Sequence, residues 1–293
     1  GGPLPAVLAG IAGPCFYGLA ACTAGLLVPY GISPWFGMFA GAALSAVVAV
    51  LISVPCFRLR GPFFAIATMA MAEVAVAARK WAQLNPDALM RDPLSIDDVL
   101  TARMVSDPLS VRDCCLVTDG AGAYVMVRAE RAKDLAKPPV YVLGNATATW
   151  HRQISSMPDL TVSAAKESGE RAFAMAGVKP ADVDVLELYD AFTINTLLFL
   201  EDLGFCAKGE GGPFVSGGAI APGGRLPVNT NGGGLSCVHP GMYGMFITIE
   251  AVRQLRGECG ERQVGGAEIA LVHGNGGTLS SQSTAILGTA AAL

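Results

Sequence analysis

The first 57 residues contain no Asp, Glu, Lys, Arg or His, whereas from Glu73 to His273 charged positions recur among apolar ones. Two apolar runs, 4–30 and 34–57, are each longer than the ~20 residues a helix needs to cross a bilayer, so the pattern predicts a hydrophobic two-span helical segment. A cleaved signal peptide would be shorter, begin with basic residues and occur once. Arg58 and Arg60 place the end of the second run on the cytoplasmic side. Beyond it the pattern changes. Residues 81–112 carry Asn85-Pro86, Asp92-Pro93 and Asp107-Pro108, which interrupt helices and predict a loop-rich excursion. Residues 116–127 read as strand, turn and strand about Asp119-Gly120. From 137 onward strands alternate with helices. The pattern predicts a strand at 140–143, a helix at 164–176 stopped by Gly177, a buried strand at 183–188 and a helix at 194–203 stopped by Gly204. A glycine-rich loop at 209–224 follows, then a helix at 241–256, a strand at 268–272 and a closing strand at 284–287. In the helix at 241–256, Met242, Met245, Phe246, Ile249, Val252 and Leu255 recur at helical spacing as its apolar face. The alternation predicts an α/β domain in which a sheet lies between helix layers.

Candidate chemistry concentrates where the pattern breaks. Residues 227–244 read PVNTNGGGLSCVHPGMYG, and three consecutive glycines belong where a main chain turns sharply or approaches something closely. His239 then stands at the start of the helix at 241–256, where unpaired N–H groups favour a developing anion and a neutral imidazole. A second glycine-rich turn, His273-Gly-Asn-Gly-Gly277, ends the strand at 268–272. Ligands of open α/β sheets gather beyond the carboxyl ends of strands, so His273 is a second candidate. Tyr189 and Asp190 leave the strand at 183–188 in the same way. An isolated histidine is more often a satisfied structural residue, and Tyr243 has a plain reading as a packing aromatic.

Composition narrows the classes. A net charge of −4 without a basic cluster gives no reason to invoke nucleic acid. The eight cysteines show neither CxxC nor metal-ligand spacing, which fits free thiols in a reducing cytosol. The adjacent Cys114 and Cys115 cannot easily pair with each other and are given no role. No GxGxxG follows a strand in a βαβ unit, so the glycine loops are not read as a dinucleotide site.

Three segments, in order and spacing, resemble the thiolase superfamily. NTNGGGLSCVHPGMYG is similar to the thiolase block ending in Gly-His-Pro, LVHGNGG lies where thiolases carry Cys-x-Gly-Gly-Gly, and ELYDAF resembles the Asn-Glu-Ala-Phe block. AEVAVAARKWAQLNPDA, RDPLSIDDVLTARMVSDPL and DCCLVTDGAGAYV point to the sterol-carrier or lipid-transfer variety, from about Glu73 to the C-terminus. The resemblance implies a layered αβα thiolase C-terminal domain at 137–293, preceded by a remnant of the N-terminal half at 76–136. It further implies a CoA thioester as substrate with no bound cofactor or metal, a homo-oligomeric parent and a possible small zinc-containing OB-fold partner. Among the site residues it implies, His239 activates a nucleophilic cysteine and helps hold the thioester oxyanion, although Val238 stands where the family has glycine. Tyr189 replaces the asparagine of the oxyanion hole, His273 replaces the second, acid/base cysteine, and Asn231, Gly233, Gly276 and Gly277 shape the loops at the thioester.

The family's nucleophilic cysteine belongs upstream of Glu73, where this sequence has the apolar segment instead. Cys15, Cys22 and Cys56 lie in or beside predicted spans that disfavour a thiolate. The first reading is therefore a thiolase-family acyltransferase, similar to acetyl-CoA acetyltransferases of lipid metabolism, in a truncated form expected not to complete an acyl-transfer cycle. A retro-aldolase is the alternative within the family, since thiolase-like aldolases use tyrosines, and Tyr189 and Tyr243 flank the predicted site. FRLRGPFFAIATMAMAEV resembles branched-chain amino-acid ABC transporter permeases, which makes 1–75 a permease-like fragment and 71–74 the join of a chimera. A transporter subunit with an appendage is a third reading. The thiolase part is expected in the cytoplasm, with membrane attachment only through 1–57.

Overall fold

The computed structural model describes residues 60–132 and 134–293 together with isolated positions between 33 and 44. The two predicted spans and the permease-like reading fall almost wholly outside the described residues. Among the described residues, no helix is long and apolar enough to cross a membrane. The chain divides between Ala67 and Thr68, and residues 68–136 group with 137–293 in one unit. That second unit holds the sheet and every candidate site residue.

Helix α1 (Arg60–Gln83) runs unbroken through the suspected join. From Ala70 it is buried at nearly every position, with Met71, Val74, Ala77 and Ala78 in the main core beside Leu188 and Leu235. Its last turn serves the site. Arg79 Nε donates to Ser236 Oγ at 3.1 Å, Trp81 Nε1 to the Ile220 carbonyl at 2.9 Å and Asn85 Nδ2 to the Asn231 carbonyl at 2.9 Å. Pro86 ends the helical course, because the residue before a proline is driven out of the helical region.

The excursion at 81–112 contains the short helix α2 (Ile96–Leu100), closed by a Ser95–Asp98 capping box, and a two-strand ladder, β1 (Met104–Ser106) with β2 (Leu109–Ser110). The four-stranded sheet consists of β3 (Tyr141–Thr149), β4 (Val185–Leu188), β5 (Ile269–Gly276) and β6 (Ser281–Gly288). Their order is β3-β6-β5-β4, with β4 parallel to β5 and the other pairs antiparallel. Successive side chains of a strand face opposite ways, and this divides the core in two. Leu186, Leu188, Leu271 and Ile286 pack with α3 (Ala165–Ala176), α4 (Thr193–Asp202) and α1. Val185, Ala270, Val272 and Leu287 pack with α7 (Gly244–Leu255), which follows the single-turn helices α5 (Gly211–Val215) and α6 (Gly233–Ser236). The helix–sheet–helix layering expected from the sequence is present.

Three local expectations need correction. Residues 116–127 form no strands: Cys115 N–H reaches the Ala191 carbonyl and Leu116 N–H the Gly234 carbonyl, but the run beyond has no strand partner. Val117, Val125 and Met126 are exposed there, since apolar alternation makes a strand only beside a partner edge. The loop at 209–224 includes the helical turn α5. Helix α7 begins at Gly244, and its buried face is Ile247, Glu250, Ala251, Gln254 and Leu255. Met242 is 84% exposed, because it lies in the turn before the helix rather than on its apolar face.

Candidate active site

Strand β4 ends on Tyr189, whose N–H donates to the His273 carbonyl at 3.0 Å and so continues the ladder with β5. Its ring leaves on the α7 side of the sheet. There it meets His239 edge-on, with centroids 5.2 Å apart, and Tyr243 edge-on at 5.4 Å. His239 and Tyr243 stack at 4.9 Å with 26° between their planes. Three of the candidate residues therefore form one cluster of rings. Tyr243 is fully buried, while Tyr189 and His239 are half-buried.

His239 does not start a helix. It follows α6 and precedes α7 by several residues, so the expected helix-terminus field is not what keeps its ring neutral. Burial is the cause, and it lowers the imidazole below its usual range. The His239 N–H donates to Thr118 Oγ1 at 3.0 Å, which ties the turn to the extended run before Gly120. His239 Nε2 and the Tyr243 hydroxyl are both buried without a hydrogen-bond partner in the protein. Buried polar atoms are ordinarily paired, so two orphans within one ring cluster mark a place prepared for a polar group. Burial pushes the Tyr243 phenol well above its usual range and also raises Tyr189. Both phenols remain proton donors.

Behind the rings lies a carboxyl group that sequence reasoning noted but assigned no role. Asp190 is fully buried, accepts the Gly234 N–H at 2.7 Å and lies 3.4 Å from the Leu235 nitrogen. Gly232 (φ 103) lies so close to Ala82 that a Cβ would come within 2.6 Å of the Ala82 Cβ. A Cβ on Gly234 would overlap the His239 ring, and one on Gly233 would overlap Asp190. The glycine triad is required by close approach of backbone to helix, acid and imidazole. Asn231 Oδ1 accepts the Gly233 N–H at 2.7 Å and so shapes this turn from inside.

His273 is not in the cluster. It lies within β5 rather than beyond it, on the face opposite α7, fully buried with its ring 4.5 Å from Phe199. Nδ1 lies 2.9 Å from Thr284 Oγ1 and Nε2 lies 2.9 Å from Gln282 Oε1, so both nitrogens are engaged. Burial pulls its pKa down to about 4. A neutral core histidine with no free nitrogen cannot serve as the expected acid/base, and that assignment is corrected. Gly276 and Gly277 close β5 toward β6, where an added Cβ would meet Ser281 and Ser280 respectively.

Two thiols border the cluster. Burial, then the charge of Asp190, pushes Cys115 up to about 11, and burial pushes Cys237 up to about 12. Among the described residues, no group of His, Cys, Asp and Glu could hold a metal ion.

The family described as Thiolase C-terminal domain-like matches residues 146–289, which span the sheet, α3 to α7 and the ring cluster. The chain belongs to the thiolase superfamily. It is 40% identical over 210 residues to an acetyl-CoA acetyltransferase of Methanothermobacter thermautotrophicus, a match covering 71% of this chain and 55% of that one. It is also 40% identical over 219 residues to a 17-hydroxy-3-oxo-4-pregnene-20-carboxyl-CoA lyase of Mycobacterium tuberculosis, over 71% of this chain and 55% of the lyase. A solved structure described as Ltp2-ChsH2(DUF35) aldolase superposes with a TM-score of 0.68 at 34% identity, covering 76% of this chain and 58% of that one. The chain thus spans about half the length of the curated relatives it matches.

Proposed function

We propose that this site breaks a carbon–carbon bond beside the carbonyl of a CoA thioester by aldol cleavage of a 3-hydroxyacyl-CoA. The observation that carries the reading is the packing of Tyr189, His239 and Tyr243 around two buried groups without partners, the His239 Nε2 and the Tyr243 hydroxyl, with the half-buried Tyr189 phenol beside them. His239 Nε2 takes the proton of the substrate hydroxyl, and the O–H electron pair becomes the second bond of a new carbonyl. The bond between C2 and C3 breaks, and its electrons pass to C2 as a thioester enolate. The Tyr189 hydroxyl donates to the enolate oxygen, a role for which a phenol held protonated is suited. C2 then takes that proton from the His239 imidazolium, which restores the neutral ring and gives a shortened acyl-CoA and a free ketone or aldehyde. The likeness to the lyase and to the solved aldolase supports this assignment, and the raised thiols of Cys115 and Cys237 weigh against a thiolate at these positions.

Acyl transfer is the second reading, because an unpartnered Nε2 is also what would deprotonate a cysteine, and the acetyltransferase relative bears that name. Products separate the two. Incubation with 3-hydroxyacyl-CoA substrates is expected to release a carbonyl compound that a hydrazine reagent traps, with no radiolabel left on the protein after exposure to labelled acetyl-CoA. A labelled cysteine without released carbonyl would assign acyl transfer instead.

A further inference from the structure

The best-defined hydrogen-bonding group beside the ring cluster has no place in either chemistry. We propose that Asp190 is a positioning residue: its buried carboxylate clamps the glycine turn on which the His239 ring rests, and so fixes the imidazole relative to the phenol of the neighbouring Tyr189. The inference rests on the proposed reading only for the reaction in which the two rings would act.

The chain of contact is short. Asp190 Oδ1 accepts the Gly234 N–H at 2.7 Å, Oδ2 lies 3.4 Å from the Leu235 nitrogen, and the Asn229 side chain supplies a further hydrogen bond. The donors are all neutral, two of them main-chain amides at the start of α6. Asn229 is held in turn, since its Oδ1 accepts the Leu188 N–H at 2.7 Å. The clamp is thus anchored to β4, the strand that delivers Tyr189. On the side of Gly234 that also faces Asp190 Oδ1, the His239 ring lies so close that even a methyl group would overlap Cδ2. A small displacement of Gly234 must therefore move the imidazole. One aspartate joins the strand that carries the phenol to the turn that carries the base.

A carboxylate can only accept, which suits three converging donors. Once protonated, one oxygen becomes a donor facing another donor, and the turn loosens. Burial, which outweighs these hydrogen bonds, raises the Asp190 pKa to about 7. The titratable groups around it are Cys115, Glu187, Tyr189, Cys237, His239 and Tyr243. Of these, His239 lies below its usual range and the thiols and phenols lie above theirs, whereas Glu187 is a second carboxyl held well above its usual range, so a step near neutral pH is assigned to Asp190 by its loss in Asp190→Asn. The clamp is therefore complete above that pH and weakens as pH falls through it.

Carbon-13 NMR of the three histidine rings in the full chain tests the clamp without turnover, with His239 assigned by His239→Gln. The His239 Cδ2 signal is expected to step near pH 7, apart from its own titration at lower pH, and Asp190→Asn is expected to abolish that step. His273, on the opposite face, serves as the folding control. A wild-type His239 signal without the step, or a step that survives in Asp190→Asn, would overturn the proposal. Should that variant fail to fold, as collapse of the His273 signal would reveal, Glu187→Gln takes its place: a step that survives it supports the clamp, and a step that it abolishes overturns the proposal. A clear step in a protein that cleaves no hydroxyacyl-CoA would leave the clamp intact and reject the reaction.

Discussion

Replacing His239 with glutamine is expected to lower the rate of carbon–carbon cleavage by about 10²- to 10⁴-fold, the usual contribution of a positioned general base. Burial holds the imidazole below its ordinary pKa, so the ring is neutral at pH 7 and Nε2 is ready to accept. Glutamine keeps much of the volume against Tyr243 and Gly234 while removing that basic nitrogen. The loss should fall on kcat, with KM changed by less than about threefold, because the abstracted proton interacts with the base mainly in the transition state. Steady-state assays on wild type and variant read this directly. A variant within threefold of wild type in kcat would remove His239 from the chemistry.

The second large effect concerns stability. Arg262 and Glu250 form a buried pair, Nε to Oε1 at 2.8 Å and Nη2 to Oε2 at 3.0 Å, with side chains only 8% and 3% exposed. Glu187 lies close by. The Thr230 hydroxyl is 2.8 Å from Glu187 Oε1 and 2.9 Å from Glu250 Oε1, and one hydroxyl proton cannot serve both acids. Burial, then the charge of Glu250, raises Glu187 well above the usual carboxylate range. Arg262 is the cation beside this group. Arg262→Met is expected to cost about 3–5 kcal/mol, the range for removing one partner of a buried ion pair. Adding Glu250→Gln should recover part of that loss, since it removes the stranded charge. Urea unfolding of the two variants measures both numbers, and a loss under about 1 kcal/mol for Arg262→Met would show that the pair is dispensable.

This network also explains where sequence reading fell short. Helices α3 and α4 and strand β4 were legible because apolar runs and stopping glycines mark them without reference to distant contacts. In α7, Glu250 and Gln254 face inward because Arg262 and Thr230 satisfy them there, and an apolar count along the helix cannot anticipate partners elsewhere in the chain. His273 was misplaced for a different reason. Motif order located it correctly along the chain, but strand parity decides which face it joins, and it shares the face of Leu271 rather than that of Val272. Tyr189, His239 and Tyr243, singled out by the resemblance and by their places beside turns, meet because the end of β4, the turn after α6 and the approach to α7 converge. Asp190 stood next to Tyr189 at the end of a fully buried strand, with three glycines downstream, and that pairing of an acid with a close-approach turn was the available signal.

The central claim is that phenol and imidazole, not a thiol of this chain, carry the chemistry. Carbonyl release from a 3-hydroxyacyl-CoA, compared between Tyr189→Phe and Cys115→Ser, tests it most directly. Losing the enolate's hydrogen-bond donor is expected to reduce the rate by about 10²- to 10³-fold in Tyr189→Phe, as for other oxyanion-type donors. Cys115→Ser is expected to stay within about threefold of wild type, because a thiol raised to about 11 is protonated at pH 7. The reverse ranking, a near-silent Tyr189→Phe beside an inactive Cys115→Ser, would contradict the account and return the site to cysteine chemistry.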